Sequence, residues 1–327
     1  MNVLVPGGCG YIGSALVPLL LHAGHRVTVF DAMFFGRGGL SEHKDLTVTH
    51  GDVRNRDAFA VACEGQEAVI YLASISSDAM CRKDPDLARA VNQDSFGPAV
   101  LAARNAGARR FIYASSVAAY GSSDTDVTED RQLSPTTLYG EAKAACESMA
   151  MGFNGKDFSC TVTRSASVCG PAPRMRFDIT VNKMAHDAIR RGRVIVNGGG
   201  QKRCHVHIAD ICSFYSLLLD LPRERTARQV FNVVAENQTV LATAELVCRT
   251  VAANRRRAVN MPFVEVRDAT DDRSYSVDGT KAREMLGFRP KWDVTNAVIG
   301  MRLAFDHDAW KDSEVNLAYQ NMVPGYA

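Results

Sequence analysis

The sequence lacks the features that mark membrane, exported or nucleic-acid-binding proteins. It has no run of 18 apolar residues, and its first residues, MNVLVPGGCGYIG, show no basic lead followed by an apolar stretch and a cleavage site. Its 38 basic and 36 acidic residues nearly cancel, so neither nucleic acid nor a membrane is expected as a partner. The nine cysteines include no CxxC pair, which argues against a disulfide framework or a zinc knuckle. We therefore expect a cytoplasmic protein.

Strand and helix signals alternate along the first half of the chain. Short apolar or β-branched runs predict strands at 2–5, 26–31, 46–50, 68–73, 110–115 and 161–164, and helical spacing predicts helices at 12–23, 57–63 and 85–106. This alternation predicts an α/β fold with a parallel sheet covered by helices on both faces.

The second half is less regular. The whole chain has 327 residues, a length that predicts about two domains. The loop-rich stretches GPAPRMRFD and NGGGQKRCHVH begin soon after residue 165. We expect a first domain at 1–165 and a smaller one at 166–327. A helical stretch at 210–221 and a strand-like stretch at 229–234 predict a return to the first domain near 209–235.

A glycine-rich turn opens the chain. In PGGCGYIG, Gly7, Gly10 and Gly13 stand between a predicted strand and helix, where their backbone N–H groups can approach a pyrophosphate. Asp31 ends the second strand, 18 residues after Gly13, at the spacing of a carboxylate that binds the adenosine ribose. Asp31 would repel a 2′-phosphate, which favours NAD, although the nearby Arg37 leaves NADP possible.

Asp52 follows the third strand and has two interpretations. Its carboxylate could bind the adenine edge of a dinucleotide, or it could cap the next helix. The sequence does not decide between them.

Tyr139 precedes Lys143 by four residues in TTLYGEAK, so the two side chains share a helix face. The pair is either an ordinary surface contact or a phenol beside an ammonium that helps it to lose its proton. Ser115 and Ser116 lie in the motif YASSVAAYG at the end of the predicted strand RFIYAS, where they either meet a ligand or close a turn.

Together these motifs resemble the extended short-chain dehydrogenase/reductases that modify nucleotide sugars. The likeness continues in Leu72-Ala73-Ser74, in Val91-Asn92, in Cys169-Gly170-Pro171, in RCHVHIADI and in LGFRPKW. It implies a Rossmann-type doubly wound parallel sheet with a smaller, loop-rich C-terminal substrate domain, bound NAD, a nucleotide-diphosphate sugar as substrate and a homodimer through helices near 92–106 and 139–152. It makes Ser116, Tyr139 and Lys143 catalytic. The cofactor residues that it implies, besides Tyr139 and Lys143, are Gly7, Gly10, Tyr11, Ile12, Gly13, Asp31, Asp52, Val53, Leu72, Ala73, Ser74 and Asn92, the last as support for proton transfer.

The reaction expected from this likeness is oxidation of a sugar hydroxyl at C4. Tyrosine's ordinary pKa near 10 is too high for a base at neutral pH, so Lys143 and the cofactor's positive ring are expected to lower it. The 4,6-dehydratases of the group have Asp-Glu directly after the catalytic hydroxyl residue, where this chain has Val117 and Ala118. That favours a 4-epimerase acting through a 4-keto intermediate.

Other outcomes stay open. Ser167 and Cys169 depart from the usual epimerase residues, and DPDLARAVNQD and PAPRMRFD resemble a branch that includes GDP-heptose dehydrogenases. A differently equipped dehydratase or a net C4 dehydrogenase therefore remains possible. A dinucleotide-sensing regulator could dispense with Tyr139 and Lys143, and both are present.

Arginines in the second half suit the substrate's diphosphate, because guanidinium groups bind phosphate oxygens in pairs. Arg203 has the best motif match, and each of the others could equally be a solvated surface charge. The predicted substrate-binding residues, besides Ser116, are Ser76, Ser77, Asp78, Arg174, Arg176, Asn182, Arg203 and Arg273. A second acid or base could lie in the segment that contains Ser76, Ser77, Asp78 and Cys81. Cys204, His205 and His207 have no carboxylate near them in sequence, so no metal is expected.

Overall fold

The computed structural model describes residues 1–123, 125–253, 261–268 and 274–322. Its strands, in chain order, are β1 (Asn2–Pro6), β2 (Arg26–Asp31), β3 (Leu46–His50), β4 (Ala68–Tyr71), β5 (Arg110–Ser116), β6 (Ser159–Ser165), β7 (Ser167–Cys169), β8 (Arg193–Asn197), β9 (Lys202–His207), β10 (Val230–Val233), β11 (Glu236–Thr239) and β12 (Phe263–Arg267).

Seven of these strands form one parallel sheet. Their spatial order is β10-β6-β5-β4-β1-β2-β3, and each neighbouring pair is parallel. The chain runs outward from β1 to β3 and then crosses back to β4 on the other side of β1. In open α/β sheets, the carboxyl ends of the strands at such a reversal frame a ligand-binding crevice.

Helices cover both faces of this sheet. In chain order, the helices of the described residues are α1 (Tyr11–His22), α2 (Arg56–Cys63), α3 (Asp78–Lys83), α4 (Pro85–Arg89), α5 (Phe96–Asn105), α6 (Leu138–Gly152), α7 (Thr180–Arg191), α8 (Ile208–Asp220), α9 (Arg223–Thr226), α10 (Val240–Ala253), α11 (Thr280–Leu286) and α12 (Val294–Asp306). Short 3₁₀ helices occupy Val117–Tyr120 and Leu317–Gln320.

Alternate side chains of each strand enter different cores. Val3 and Val5 pack with Leu16 of α1 and Ile211 of α8, whereas Leu4 packs on the opposite face with buried residues of α2, α5 and α6. This is the alternation that a pleated strand covered on both sides requires. The predicted doubly wound parallel sheet is confirmed.

The helix predicted at 85–106 is not regular. A π-helical segment, Ala90–Asp94, separates α4 from α5. Pro98 lies in the first turn of α5 and has no N–H for the carbonyl of Asp94, so a continuous α-helix would be interrupted here. The π segment includes Val91, which lines the cavity described below, and such segments are frequent at functional sites.

The second half adds two small sheets. One has the strand order β11-β9-β7, and the other pairs β8 with β12 in parallel. In the same half of the chain, α8 packs on α1, and β10 extends the main sheet beside β6. No helix among the described residues is both long and apolar enough to cross a membrane.

Candidate active site

One cavity runs along the carboxyl ends of the central strands. It is lined by the glycine turn, by the ends of β2 to β6, and by residues of α6 and of the segment between β7 and α7. Almost all of the predicted cofactor residues line it: Gly7, Gly10, Tyr11, Ile12, Gly13, Asp31, Asp52, Val53, Leu72, Ala73, Ser74, Tyr139 and Lys143. Asn92 does not.

The glycine turn is fixed by close backbone packing. Gly7 has a φ of +80°, and a Cβ at this position would stand 2.6 Å from the amide nitrogen of Ala73. Only glycine fits such a conformation and approach. Gly10 is the N-cap of α1 and has no side chain to satisfy the first-turn N–H groups. These groups are open to an anionic ligand at the positive end of the helix.

Asp31 is held at the end of β2 by two backbone donors. The N–H groups of Cys9 and Met33 donate to its two carboxylate oxygens at 2.9 Å and 2.7 Å. Burial raises its pKa, and these two hydrogen bonds oppose the rise. Each oxygen can accept a further bond, which suits the hydroxyls of a ribose. The glycine cradle, the uncapped helix and this carboxylate all fit NAD.

Asp52 does not cap α2, so that interpretation is wrong. The N-cap is Asn55, whose side chain accepts from the N–H of Ala58 at 3.1 Å. The Asp52 carboxylate instead accepts from the guanidinium of Arg54, with a shortest distance of 2.6 Å. It lines the cavity beside Val53, and its contact with adenine stays a prediction.

Ser116, Tyr139 and Lys143 come together where β5 meets α6. Helix α6 is capped by Thr137, whose hydroxyl accepts from the N–H of Gly140 at 3.1 Å. A Cβ on Gly140 would lie 2.6 Å from the carbonyl oxygen of Ala118, so this glycine lets the helix approach the end of β5 closely. The approach puts Tyr139 within hydrogen-bonding reach of Ser116.

Lys143 is almost fully buried, and its ammonium lies beside the ring of Tyr139. Its Nζ donates to the carbonyl oxygen of Ala114 at 2.7 Å and lies 5.4 Å from the ring centroid of Tyr139. Burial lowers the pKa of Lys143 to about 8. At neutral pH the ammonium form still predominates.

The expected lowering of the pKa of Tyr139 by Lys143 is not found in the protein alone. Burial raises this pKa well above its ordinary value, and the groups that oppose the rise are the positive charge of Arg176 and the hydrogen bond with Ser116. The physical reason is desolvation, which disfavours a phenolate in an enclosed crevice. Further positive charge is needed before Tyr139 can act as a base near neutral pH.

The residue-based reasoning missed Glu147, which continues the face of α6 that carries Tyr139 and Lys143. It accepts hydrogen bonds from Ser115 and from Arg164, with an Arg164 Nη2 to Oε2 distance of 2.7 Å, and both charged side chains are buried. Arg164 also donates to the hydroxyl of Tyr120 at 2.7 Å. This buried network joins the ends of β5 and β6 to α6 beneath the site. The i, i+4, i+8 spacing was the signal in the sequence.

Asn92 stands behind the cavity wall. Its side chain accepts from the N–H of Ile75 at 2.7 Å and from the hydroxyl of Ser74 at 3.0 Å, and it donates to the carbonyl of Ile75 at 3.1 Å. Asn92 therefore shapes the loop after β4, and its predicted role at the cofactor, as support for proton transfer, stays a prediction.

Of the predicted substrate residues, Ser76, Ser116, Arg174 and Arg176 line the cavity. Arg176 donates to the hydroxyl of Ser76 at 2.7 Å and to its carbonyl at 3.2 Å, and it forms a two-bond ion pair with Asp178. Four of its five N–H donors are thus used within the protein, so Arg176 mainly joins the second half of the chain to the loop after β4.

Of the remaining predicted substrate residues, those that the structure describes are not in the cavity lining. Asn182 is fully buried, with its side chain bonded to Gly170, Tyr11 and Arg176, which accounts for all its polar atoms structurally. Arg203 lies on β9, 5.4 Å from the ring centroid of Tyr275. Ser77 precedes α3, and Asp78 begins it. Arg273 lies outside the described residues. Within the described part, no cluster of His, Cys, Asp or Glu is arranged to hold a metal ion.

Comparison with known proteins agrees with this geometry. The model of the NAD dependent epimerase/dehydratase family matches residues 3–234. The UDP-glucose 4-epimerase of Lactobacillus helveticus is 28% identical over 95% of this chain and 96% of its own. The dTDP-glucose 4,6-dehydratase of Streptomyces niveus is 27% identical over 89% and 88%.

A solved dTDP-glucose 4,6-dehydratase of Streptomyces venezuelae, with NAD bound, shares the fold. It superposes with a TM-score of 0.83 at 22% identity, covering 95% of this chain and 98% of that one. The family match extends over more than half of the sequence and includes the glycine turn, Asp31 and the Tyr139–Lys143 pair. The chain therefore belongs to the NAD dependent epimerase/dehydratase family, an enzyme family whose cofactor is NAD.

Proposed function

We propose that the protein is a nucleotide-sugar 4-epimerase that acts through a 4-keto intermediate. The observation that carries this proposal is the composition of the crevice around Tyr139: Ser116 and Lys143 adjoin it, and the residues that follow Ser116 are Val117 and Ala118. The 4-epimerase and 4,6-dehydratase relatives support a nucleotide-sugar ligand of this kind.

In the proposed reaction, Tyr139 takes the proton of the C4 hydroxyl, and Ser116 hydrogen-bonds the same oxygen. When bound, NAD would supply the chemistry of hydride transfer, from C4 to its nicotinamide ring and back. Arg176 supplies positive charge near the phenol, which offsets part of the cost of forming phenolate in a buried place. The Lys143 ammonium, 5.4 Å from the centroid of the Tyr139 ring, is placed to act together with the positive ring of oxidised NAD. Epimerisation would be completed when the hydride is returned to the opposite face of C4 and Tyr139 gives its proton back to the C4 oxygen.

The residues that follow Ser116 favour epimerisation over elimination. Val117 is buried, and neither Val117 nor Ala118 has an acid that could move a proton from C5 or protonate a leaving C6 hydroxyl. Without such an acid at this position, the keto intermediate would keep its C6 hydroxyl until it is reduced again.

A second candidate is a dehydratase that draws its acid from another element. Asp78 lies close enough to Tyr139 for its charge to raise the pKa of the phenol. A carboxylate there could serve as a second acid or base. A third candidate is a net dehydrogenase that releases the 4-keto sugar, and the experiment must distinguish it from the epimerase and the dehydratase.

Product analysis tests these alternatives. The purified protein is incubated with UDP-glucose and, separately, with dTDP-glucose, while absorbance at 340 nm, product mass and the proton NMR spectrum of the sugar are followed. We expect the C4 epimer, with unchanged mass and no net rise at 340 nm. A product lacking one water would favour the dehydratase, and a ketone released with a rise at 340 nm would favour the dehydrogenase; either result contradicts the epimerase.

The predicted domain division at residue 165, the return near 209–235, the homodimer and the cytoplasmic location remain proposals. An exposed apolar side chain, Leu101 on α5, supports an interface on that helix. Light scattering of the eluting protein would detect a dimer. A monomer at micromolar concentration would contradict the proposed assembly.

A further inference from the structure

Arg174 reaches the cofactor side of the cavity from the second half of the chain. It lies between β7 and α7, is 7% exposed, and lines the same cavity as the glycine turn and Asp31. Its backbone N–H donates to the hydroxyl of Ser14, in the first turn of α1, at 3.2 Å. Its guanidinium carbon stands 4.1 Å from the ring centroid of Phe35, in the loop after β2. Arg174 therefore faces the elements that receive a dinucleotide.

The charge of Arg174 has no anionic partner among the described residues. Its guanidinium donates to the carbonyls of Met175 and Ala318 at 3.3 Å and 3.2 Å and to the side-chain oxygen of Asn321 at 2.7 Å. All three acceptors are neutral, and no carboxylate of the described part lies within ion-pair distance. Arg176, two residues on, is by contrast paired with Asp178.

A buried cation without a counter-ion is costly, so an anion is expected beside it. Burial, followed by the positive charge of Arg176, lowers the pKa of Arg174 to about 10, and the more distant carboxylates of Asp178 and Asp31 oppose this shift. Its Nε–H and one Nη1–H make no hydrogen bond within the described residues, so each is available to an oxygen of a pyrophosphate.

We propose that Arg174 binds the pyrophosphate of NAD from the side opposite the glycine turn, with Phe35 and Asn321 holding its guanidinium in place. Two observations favour the dinucleotide over the diphosphate of a nucleotide sugar. The first is the bond to Ser14 beside the N-terminus of α1, and the second is the contact with Phe35 in the loop that follows Asp31. Ala318 and Asn321 lie beyond the family match at 3–234. A C-terminal segment thus contributes to holding the cofactor. The inference rests on the cofactor and is independent of the fate of the sugar.

Binding measurements test this assignment without reference to turnover. The protein is freed of NAD, and calorimetry gives dissociation constants for NAD, ADP and adenosine. Losing a charged hydrogen-bond donor to phosphate is expected to weaken NAD and ADP about 10- to 100-fold in Arg174→Gln, and adenosine, which has no phosphate, about 2-fold or less. Arg174→Lys keeps the positive charge but replaces the guanidinium by an ammonium. Its affinities for NAD and ADP should lie between those of the native protein and those of Arg174→Gln.

Arg190→Gln is the matched control, because Arg190 also stands over an aromatic ring, 4.9 Å from the centroid of Phe305, but is exposed and outside the cavity lining. It should bind NAD as the native protein does. Binding of UDP to the NAD-saturated protein distinguishes the two sources of pyrophosphate. If Arg174→Gln weakens UDP and leaves NAD unchanged, the guanidinium serves the nucleotide sugar and the proposal is overturned.

Unchanged binding of both ligands would overturn it as well. Should Arg174→Gln fail to fold, Asn321→Gly provides a second route, because it removes the acceptor that orients the guanidinium while glycine readily adopts the left-handed backbone of this position, with its φ of +55°. We expect it to weaken NAD and ADP severalfold while adenosine is unaffected. Equal effects on all three ligands would indicate a structural role and overturn the proposal. Product formation is not measured, so failure here is distinct from failure of the epimerase assignment.

Discussion

The two halves of the cavity are built in different ways. The cofactor half is made of backbone turns at the ends of successive parallel strands. Its key positions, such as Gly7 and Asp31, lie at the ends of the neighbouring strands β1 and β2. The other half, which we propose binds the sugar, is assembled from side chains of distant segments, such as Ser76 and Arg176, which are 100 residues apart. The first half follows from the sheet topology, whereas the second depends on how loops pack on one another.

The largest expected effect is at the junction of the two halves. Tyr139→Phe removes the hydroxyl that would exchange the substrate proton and leaves the ring in place, so turnover should fall by about 10²- to 10⁴-fold. NAD content of the purified protein should stay close to the native value, since the cofactor half is unchanged. Both quantities are measured on the same preparation. If Tyr139→Phe turns over substrate as fast as the native protein does, Tyr139 is not the acid/base group.

The buried network below the junction gives the next largest effect. Glu147→Gln leaves the charge of Arg164 buried without its partner, and breaking such a pair costs about 3–5 kcal/mol of stability. Urea unfolding of native and variant proteins measures the difference.

Glu245→Gln is the control for that measurement, because Glu245 forms an exposed pair with Arg249 at 3.8 Å. Its loss should change the free energy of unfolding by about 0–1 kcal/mol. Equal effects of the two substitutions would show that the Glu147–Arg164 pair does not stabilise the wall of the site.

The contrast between the halves also explains which features could be read from the sequence. The parallel sheet, the glycine turn and the Tyr139–Lys143 pair follow from periodicity, glycine spacing and helix geometry. Glu147 was within reach of the same reasoning, because it lies one further turn along α6. The roles of Asn182 and Arg176 were not, since their partners are Tyr11 and Ser76, and nothing local indicates those contacts.

A smaller effect is expected at Asp31, and it is confined to the cofactor half. Asp31→Asn removes the negative charge that opposes a 2′-phosphate and weakens a charged acceptor for the ribose, so the ratio of NADP to NAD affinity should rise about 10-fold. UDP binding should not change. Asp45→Asn, in an exposed pair with Arg26 at 3.8 Å, is the control. An unaltered ratio in Asp31→Asn would mean that another group sets the cofactor preference.

The smallest effect concerns Lys143, which touches both halves. Burial lowers its pKa from 10.5 to about 8, so between these values the unfolded chain binds more protons at this position than the folded protein does. The free energy of unfolding contributed by Lys143 must then rise with pH across that window, because the cost of burying an ammonium disappears as the group loses its proton.

Lys143→Met removes this titration. In protein freed of NAD, the native chain should therefore gain stability relative to the variant between pH 8 and pH 10, as measured by urea unfolding at each pH. A constant difference would mean that the ammonium is as well solvated in the fold as in water. In that case its hydrogen bond to Ala114 would fully replace hydration, and Lys143 could hold its charge beside Tyr139 at no cost in stability.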